Sequence, residues 1–314
     1  MPLAVGPAIS ANLGREGKTV FIATLIAKER LSVGDISAAE DALAAAGIAV
    51  SARRWIEDCK ACDLFFREGP ETARAVLETE TGEVDVVVQP EASRRRKLLV
   101  ADMDSTMIGV ECIDELADYA GLKSEVAAVT ERAMRGELAF EEALRARVAL
   151  LAGMDEKVID RCRAERVRLT SGARALVRTV RREGGFTVLV SGGFTRFAEP
   201  VAEEIGFDRV VSNRLLTEAG RLTGAVEMPI VGAAAKRQAL LDSAAELGLG
   251  PEESLAIGDG ANDIPMIEAA GLGVAYHAKP AVVAAAGAVI AHNDLTALLY
   301  AQGYPRTQWE ADRD

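Results

Sequence analysis

The sequence has little of what structural metal sites and disulfide frameworks require. It contains four cysteines and only two histidines among 314 residues. Cys59 and Cys62 form a CxxC pair, but His277 and His292 lie far away and not at ligand spacing. A zinc or redox site would need a second cysteine pair, a spaced histidine pair or a thioredoxin-like setting. We therefore expect reduced cysteines without a shared function.

The sequence also lacks an excess of positive charge and a long apolar segment. Its formal net charge is -12 and its pI about 4.9, whereas a nucleic-acid-binding protein needs a basic face against phosphates. The longest apolar run, residues 281–291, is far shorter than the roughly 20 residues that span a bilayer. The sequence does not begin with a secretory signal pattern. These absences predict a cytoplasmic protein that binds neither nucleic acid nor a membrane.

What is present divides into two regions, and the first covers residues 1–92. Strands are predicted at 19–27, 48–56, 61–67 and 84–89, and helices at 34–46 and 70–80. The order βαββαβ predicts a small ferredoxin-like α+β domain. It resembles the ACT domains, which are regulatory and bind amino acids. The charged run at 91–97 is predicted to be a linker.

The second region, residues 93–314, alternates short apolar strands with helices. Buried strands are predicted near 98–101, 186–190, 254–257, 272–275 and 288–291, and two further short strands, near 209–213 and 222–227, are predicted to flank a turn at 218–220. Fully apolar strands that alternate with helices predict an α/β fold with a doubly wound parallel sheet. The helical stretch at about 112–182, after the first strand, is then predicted to be an inserted cap.

Three predicted strands end in polar, glycine-rich sequence. These ends read DMDST at 102–106, SGGFT at 191–195 and GDGAND at 258–263, and Lys236 lies near the start of a helix. Ligands bind outside the carboxyl ends of parallel strands, so the four segments should converge. Each segment alone is more often an ordinary turn, cap or surface lysine, but all four together are hard to obtain by chance.

Each segment supplies a different chemical need. The carboxylates of Asp102, Asp104, Asp259 and Asp263 would repel one another, so they predict a cation, and an all-oxygen set suits Mg²⁺. Ser191 and the amide of Gly192 can hold phosphoryl oxygens before a helix N-terminus. Lys236 adds a fixed positive charge. Phosphoryl transfer needs a nucleophile, positioning and charge neutralisation.

Residues 98–292 resemble the haloacid dehalogenase superfamily, and within it the phosphoserine phosphatases. DMDST, SGGFT, Lys236 and GDGANDIPM are similar to the four motifs of that family, in order. The resemblance implies a Rossmann-like core with a helical cap, with Asp102 as nucleophile and Asp104 as general acid and base. It also implies that Mg²⁺ is held by Asp102, Asp259 and the backbone carbonyl of Asp104.

The resemblance extends to the cap and implies how a substrate is recognised. A glutamate at the position of Glu111 and an arginine at that of Arg147 hold the amino and carboxylate groups of the substrate. Met134 and Phe140 match the apolar positions that close over it. The resemblance further implies that Asn262 and Asp263 support the phosphoryl group and the metal, and that Ser191, Gly192 and Lys236 bind phosphoryl oxygens.

The function implied is hydrolysis of O-phosphoserine, the last step of serine biosynthesis. Three other functions are considered as alternatives. Another small phosphorylated amino acid, such as phosphohomoserine or phosphothreonine, would use the same residues. An ion-pumping ATPase lacks support, because no spans exist and Asp104 stands where pumps carry threonine. A non-enzymatic amino-acid sensor would not need Asp102, Lys236 and Asp259. The sequence also leaves a homodimer open.

Overall fold

The computed structural model describes residues 19–135 and 137–310, and for Met134 it describes the backbone alone. Residues 1–18 of the predicted N-terminal domain and the predicted apolar contact of Met134 therefore lie outside the described residues. Within the described residues, no helix combines the length and the hydrophobicity needed to cross a bilayer.

The N-terminal elements form a four-stranded antiparallel sheet with two helices. They are β1 (Phe21–Ala27), α1 (Val33–Ala45), β2 (Ala52–Glu57), β3 (Ala61–Phe66), α2 (Pro70–Glu80) and β4 (Val84–Pro90). The strand order is β2-β3-β1-β4, and each neighbouring pair is antiparallel. This arrangement confirms the ferredoxin-like α+β fold that the element order predicts.

The second sheet has six parallel strands in the order β12-β11-β10-β5-β6-β7. They are β5 (Leu98–Ala101), β6 (Phe186–Phe194), β7 (Arg209–Asn213), β10 (Ser254–Gly258), β11 (Leu272–Tyr276) and β12 (Ala288–Ile290). Alternate residues of β5 enter different cores: Leu99 and Ala101 join one apolar cluster, Leu98 and Val100 the other. Helices therefore cover both faces, as a doubly wound sheet requires.

A separate hairpin differs from the prediction. Residues 209–213 and 222–227 were expected as two short strands around one turn, but β7 joins the parallel sheet. The hairpin instead pairs β8 (Leu215–Glu218) with β9 (Arg221–Val226). Only Leu215 of β8 is buried, so the strand has almost no apolar pattern by which a sequence could reveal it.

The remaining helices fall into a cap group and a sheet group. They are α3 (Cys112–Tyr119), α4 (Lys123–Met134), α5 (Phe140–Ala149), α6 (Lys157–Arg166), α7 (Ala173–Arg182), α8 (Thr195–Ile205), α9 (Ala233–Leu247), α10 (Ile264–Ala269), α11 (Pro280–Ala285) and α12 (Ala297–Ala301). Helices α3 to α6 contact one another, whereas α7 packs against β6 and α8. The stretch predicted as a cap thus holds four such helices and one helix of the sheet layer.

The charged segment at 91–97 connects the two sheets, but it is not solvated along its whole length. Arg94 is 7% exposed, and its guanidinium forms a two-pronged ion pair with Asp63 on β3, at 2.7 and 3.1 Å. Arg96 is buried as well and donates to Gln89 and Gln302. Two of the three arginines that look like a solvated run in the sequence are thus buried, because the fold brings hydrogen-bonding partners to them, whereas Arg95 is exposed.

We expect that Asp63→Ala lowers the free energy of unfolding by about 3–5 kcal/mol, because it leaves the Arg94 guanidinium buried without its partner. Asp63 is fully buried and also accepts a hydrogen bond from Thr24. The matched control is Glu40→Ala, which removes the carboxylate of a partly exposed pair with Arg53, also in the N-terminal region, and should cost at most about 1 kcal/mol. Urea unfolding of both variants measures the difference, and equal losses would contradict a structural role for the buried pair.

Candidate active site

The carboxyl ends of β5, β6 and β10 meet at one cavity beneath the cap. The cavity has a volume of about 120 Å³, well below the roughly 300–1,000 Å³ of sites for drug-sized ligands. Its lining includes nine of the predicted site residues: Asp102, Asp104, Glu111, Phe140, Arg147, Ser191, Gly192, Asp259 and Asn262. Lys236 and Asp263 are fully buried beside it. A cavity of this size fits a small, polar ligand.

Three carboxylates at the floor of the cavity lie close enough to share one cation. Asp102, Asp259 and Asp263 each offer an oxygen, and these oxygens lie within 4.8 Å of one another. Burial and the neighbouring Asp263 raise the pKa of Asp102 well above its usual range. The same two causes raise the pKa of Asp259 to about 6. This crowding of negative charge is what a bound cation would relieve.

Lys236 supplies a buried positive charge directly beside Asp102, the predicted nucleophile. Its Nζ lies 2.6 Å from Asp102 Oδ1 and 2.7 Å from Asp263 Oδ1, and its side chain is fully buried. Burial lowers the pKa of this lysine, but the two carboxylates outweigh burial and the net shift is upward. Asp263 is held in turn by the amides of Asp259 and Gly260, at 3.2 and 3.0 Å. The lysine is therefore a fixed cation of the site.

Asp104 is suited to carry a proton near neutral pH. Burial, and next the charge of Glu111, raise the pKa of Asp104 to about 7. Its Oδ1 is buried and has no hydrogen-bond partner among the described residues. A Cβ on Gly193 would lie 3.2 Å from Asp104 Oδ2, so a glycine there leaves room for the carboxyl group. A carboxyl that is partly protonated at pH 7 can donate and later accept a proton.

The turn after β5 is held by contacts that the motif does not reveal. Ser105 adopts a left-handed φ of +55°, a conformation that costs energy in residues other than glycine. Its hydroxyl donates to Glu111 at 2.8 Å. Thr106 donates to Asp259 Oδ1 at 3.2 Å and is fully buried. Thr106 therefore orients the carboxylate of Asp259, a predicted metal ligand at the end of another strand, and sequence reasoning missed it.

The glycine loop at the end of β6 is fixed by Asn213, a second residue that sequence reasoning missed. The Asn213 amide group donates to the carbonyl oxygens of Gly192 and Val231, at 2.8 and 3.2 Å, and its Oδ1 accepts from the Val231 amide at 2.7 Å. The hydroxyl of Ser191 accepts from the Gly193 amide at 2.8 Å. An asparagine at the end of a short strand carries no local signal of this role.

The cap places an aromatic ring and an unpaired cation over the cavity. A Cβ on Gly192 would lie 3.1 Å from the Phe140 ring, so the glycine permits this close approach. Arg147 is half-buried, and burial lowers its pKa despite the opposing charges of Asp114 and Glu111. Among the described residues, no carboxylate lies within 4 Å of its guanidinium, whose Nε donates to the Ala143 carbonyl oxygen. Its remaining donors can serve a ligand.

Comparison with known proteins agrees with this geometry. The sequence pattern of the haloacid dehalogenase-like hydrolases matches residues 99–268, which is more than half of the chain. The chain belongs to the haloacid dehalogenase-like hydrolase family. The matched segment runs from β5 to α10 and contains the acid cluster, the glycine loop and Lys236. The resemblance of the motifs to this family is thus confirmed.

Relatives within this hydrolase family are named as phosphoserine phosphatases. Phosphoserine phosphatase SerB2 of Mycobacterium tuberculosis is 42% identical over 90% of the chain and 71% of its own length. The phosphoserine phosphatase of Streptomyces coelicolor is 47% identical over 79% of the chain, which spans 62% of that protein. The crystal structure of a probable phosphoserine phosphatase from Vibrio cholerae, in unliganded form, has a TM-score of 0.74 and 32% identity, over 93% of this chain and 88% of that one.

Proposed function

We propose that the chain hydrolyses O-phospho-L-serine to L-serine and phosphate through an aspartyl-phosphate intermediate, as the last step of serine biosynthesis. The observation that carries the substrate assignment is the unpaired guanidinium of Arg147, which lines the same small cavity as Asp102 and Glu111. In this proposal residues 1–92 form an ACT-like domain, and residues 93–314 form the phosphatase domain with its cap.

The acid cluster fits a magnesium ion. Its three carboxylates are oxygen donors, their oxygens lie within 4.8 Å of one another, and the raised pKa values of Asp102 and Asp259 indicate negative charge without enough compensation. Oxygen ligands and crowded charge are what Mg²⁺ sites provide. Asp102, Asp259 and the backbone carbonyl of Asp104 would hold the ion, with Asp263 in support. When bound, the ion neutralises charge on the phosphoryl oxygens.

In the first step Asp102 acts as the nucleophile. Its carboxylate attacks phosphorus, an acyl-phosphate bond forms, and the bond between phosphorus and the serine oxygen breaks. Asp104 donates its proton to the departing serine oxygen, for which a pKa near 7 prepares it. Lys236 opposes the rise in the pKa of Asp102 and orients its carboxylate through the 2.6 Å contact. The products of this step are free serine and phosphorylated Asp102.

In the second step water replaces the aspartate on phosphorus. Asp104, now a carboxylate, accepts a proton from the water as the water attacks, and the bond between phosphorus and Asp102 breaks to release phosphate. The Ser191 hydroxyl, the Gly192 amide and Asn262 are positioned to hold the phosphoryl oxygens through both steps. The cap, with Phe140 against Gly192, excludes bulk water while the first step proceeds.

Recognition of the amino acid is assigned to two cap-side residues. Arg147 offers a planar guanidinium that can bind a carboxylate through two hydrogen bonds, and Glu111 offers a carboxylate for the ammonium group. Phosphohomoserine and phosphothreonine carry the same groups on larger side chains. The cavity volume of about 120 Å³ favours the smallest of the three substrates. Phosphate release across a panel of these compounds tests that order.

We expect that Arg147→Ala lowers kcat/KM for phosphoserine by about 30-fold or more, because loss of a partner to a buried charge costs roughly 2–5 kcal/mol. An aryl phosphate without a carboxylate should be affected far less. Phosphate release from both substrates measures the contrast. The matched control is Arg145→Ala on the same helix, where the side chain is exposed and paired with Glu141.

The contrast between substrates separates recognition from folding. A damaged fold would reduce both activities alike, and it would show in circular dichroism. Equal losses on the two substrates with an intact fold would contradict the assignment of Arg147. Wild-type activity on sugar phosphates but not on phosphorylated amino acids would overturn the proposed substrate class.

A further inference from the structure

A three-residue loop, His277 to Lys279, joins β11 to α11 and reaches the active-site cavity. Lys279 is part of the cavity lining. Its backbone amide donates to the backbone carbonyl oxygen of Asp259 at 3.2 Å. The position of this loop therefore bears directly on the backbone of one residue of the acid cluster.

The other end of the loop lies close to Asn293, which the N-terminal sheet holds from three directions. The Asn293 amide group donates to Asp85 at 2.8 Å and to the Ile26 carbonyl oxygen at 3.0 Å. Its Oδ1 accepts from Lys60 at 2.8 Å. Asp85 is buried and also accepts the backbone amides of residues 291, 292 and 293, at 2.8–3.0 Å. The two N–H groups and the Oδ1 of the Asn293 side chain are thus all bonded to residues of the N-terminal region.

His277 connects Asn293 to the loop. Its Nε2 lies 2.9 Å from the carbonyl oxygen of Asn293, and because a carbonyl only accepts, Nε2 is the donor. Its backbone amide donates to the Ile290 carbonyl oxygen, also at 2.9 Å. His277 has a left-handed φ of +43°, a strained conformation that persists only where the surroundings hold it. Here one hydrogen bond to the last residue of β12 and one to Asn293, which follows that strand, hold it.

We propose that His277 and Asn293 are positioning residues, through which the N-terminal sheet holds Lys279 and Asp259 in place for metal binding. The connection is short. The N-terminal sheet holds the side chain of Asn293, and the Asn293 carbonyl oxygen accepts from His277. Two residues after His277, the Lys279 amide donates to the Asp259 carbonyl oxygen. A loop of three residues that is held at both ends has little freedom to absorb a displacement. Groups that orient the ligands of a metal site contribute to its affinity without touching the ion.

The experiment uses the full chain and compares His277→Ala with His292→Ala. His292 is a matched control, because it is the neighbour of Asn293 in the chain and, among the described residues, its hydrogen bond to Asp85 comes from its backbone amide and not from its side chain. We expect His277→Ala to speed hydrogen exchange at the Lys279 amide by about tenfold. It should also weaken Mg²⁺ binding, measured by calorimetry, by about threefold to tenfold, somewhat less than the 10- to 100-fold typical when a direct partner of a ligand is lost. His292→Ala should leave both quantities within twofold of the wild type.

His277→Gln restores a donor and should recover part of both losses, which a purely steric role would not predict. If His277→Ala does not fold, Asp85→Asn perturbs the same connection from the N-terminal side and should give the same two changes. Wild-type exchange at Lys279 together with wild-type Mg²⁺ affinity in these variants would overturn the proposal. Neither measurement uses substrate, so a failure of the positioning role can be told apart from a failure of the proposed function. Only the effect of these residues on turnover rests on the proposed function.

Discussion

Asp102→Asn is expected to abolish turnover, lowering kcat by on the order of 10⁴-fold or more, because it removes the nucleophile on which both steps depend. The substitution changes one oxygen to an amide group and leaves the side chain the same size. Lys236 keeps its contact with Asp263 at 2.7 Å, so the buried cation retains a partner and the fold should persist. Rapid quenching with ³²P-labelled phosphoserine measures turnover and covalent label together, and both should disappear.

Asp104→Asn is the informative companion to this variant. It removes the proton donor and acceptor and should reduce turnover by about 10²- to 10⁴-fold, while Asp102 stays available to become phosphorylated. Label should therefore still form and should persist longer than in the wild type, because hydrolysis of the acyl phosphate loses its general base. Retention of label on another residue in Asp102→Asn would show that the nucleophile is assigned wrongly.

Removal of divalent cations is the second change with a large expected effect. Three carboxylate oxygens lie within 4.8 Å of one another, and Lys236 alone does not prevent the rise in the pKa of Asp102. Without a cation this repulsion opposes the approach of an anionic phosphate. EDTA should reduce phosphate release to background, and added Mg²⁺ should restore it.

Two controls accompany this measurement. Circular dichroism should show that the protein stays folded in EDTA, since the acid cluster lies at strand ends and not within either apolar core. Excess Ca²⁺ should inhibit, because it prefers more ligands and looser geometry than Mg²⁺. Full turnover by metal-free protein would exclude the proposed metal site.

The elements that sequence reasoning predicted correctly are those with a local pattern. β5 is an uninterrupted apolar run and is found at the predicted residues 98–101. The helix predicted to start near Lys236 is α9, whose C-cap is Gly248. The sequence also predicts that the three polar strand ends converge, because parallel strands place their carboxyl ends at one edge of the sheet. The cavity confirms that these ends converge, with Lys236 buried behind them.

The features that could not be predicted depend on contacts between residues far apart in the chain. Arg94 looks like part of a charged linker until Asp63, 31 residues earlier, is placed against it. Asn213 is an ordinary polar residue until the fold brings Gly192 and Val231 to its amide group. Neither residue has a periodicity or a spacing that distinguishes it, because its partners are brought to it by the tertiary fold and are not its neighbours in sequence.

The apolar contact between the two sheets has a consequence for how such proteins can be recombined. Ile26, Ala61 and Val87 of the N-terminal sheet belong to the same apolar cluster as Leu298 and the core strands. A chimera could take its first 90 residues from one parent and the rest from another. Its two parts would then need complementary apolar side chains at this contact, together with both members of the Asp63 and Arg94 pair. A crossover at the domain boundary predicted from the sequence would separate residues whose side chains must match one another. Exchange between parents is therefore easier within the surface helices α1 and α2 than at the junction of the sheets.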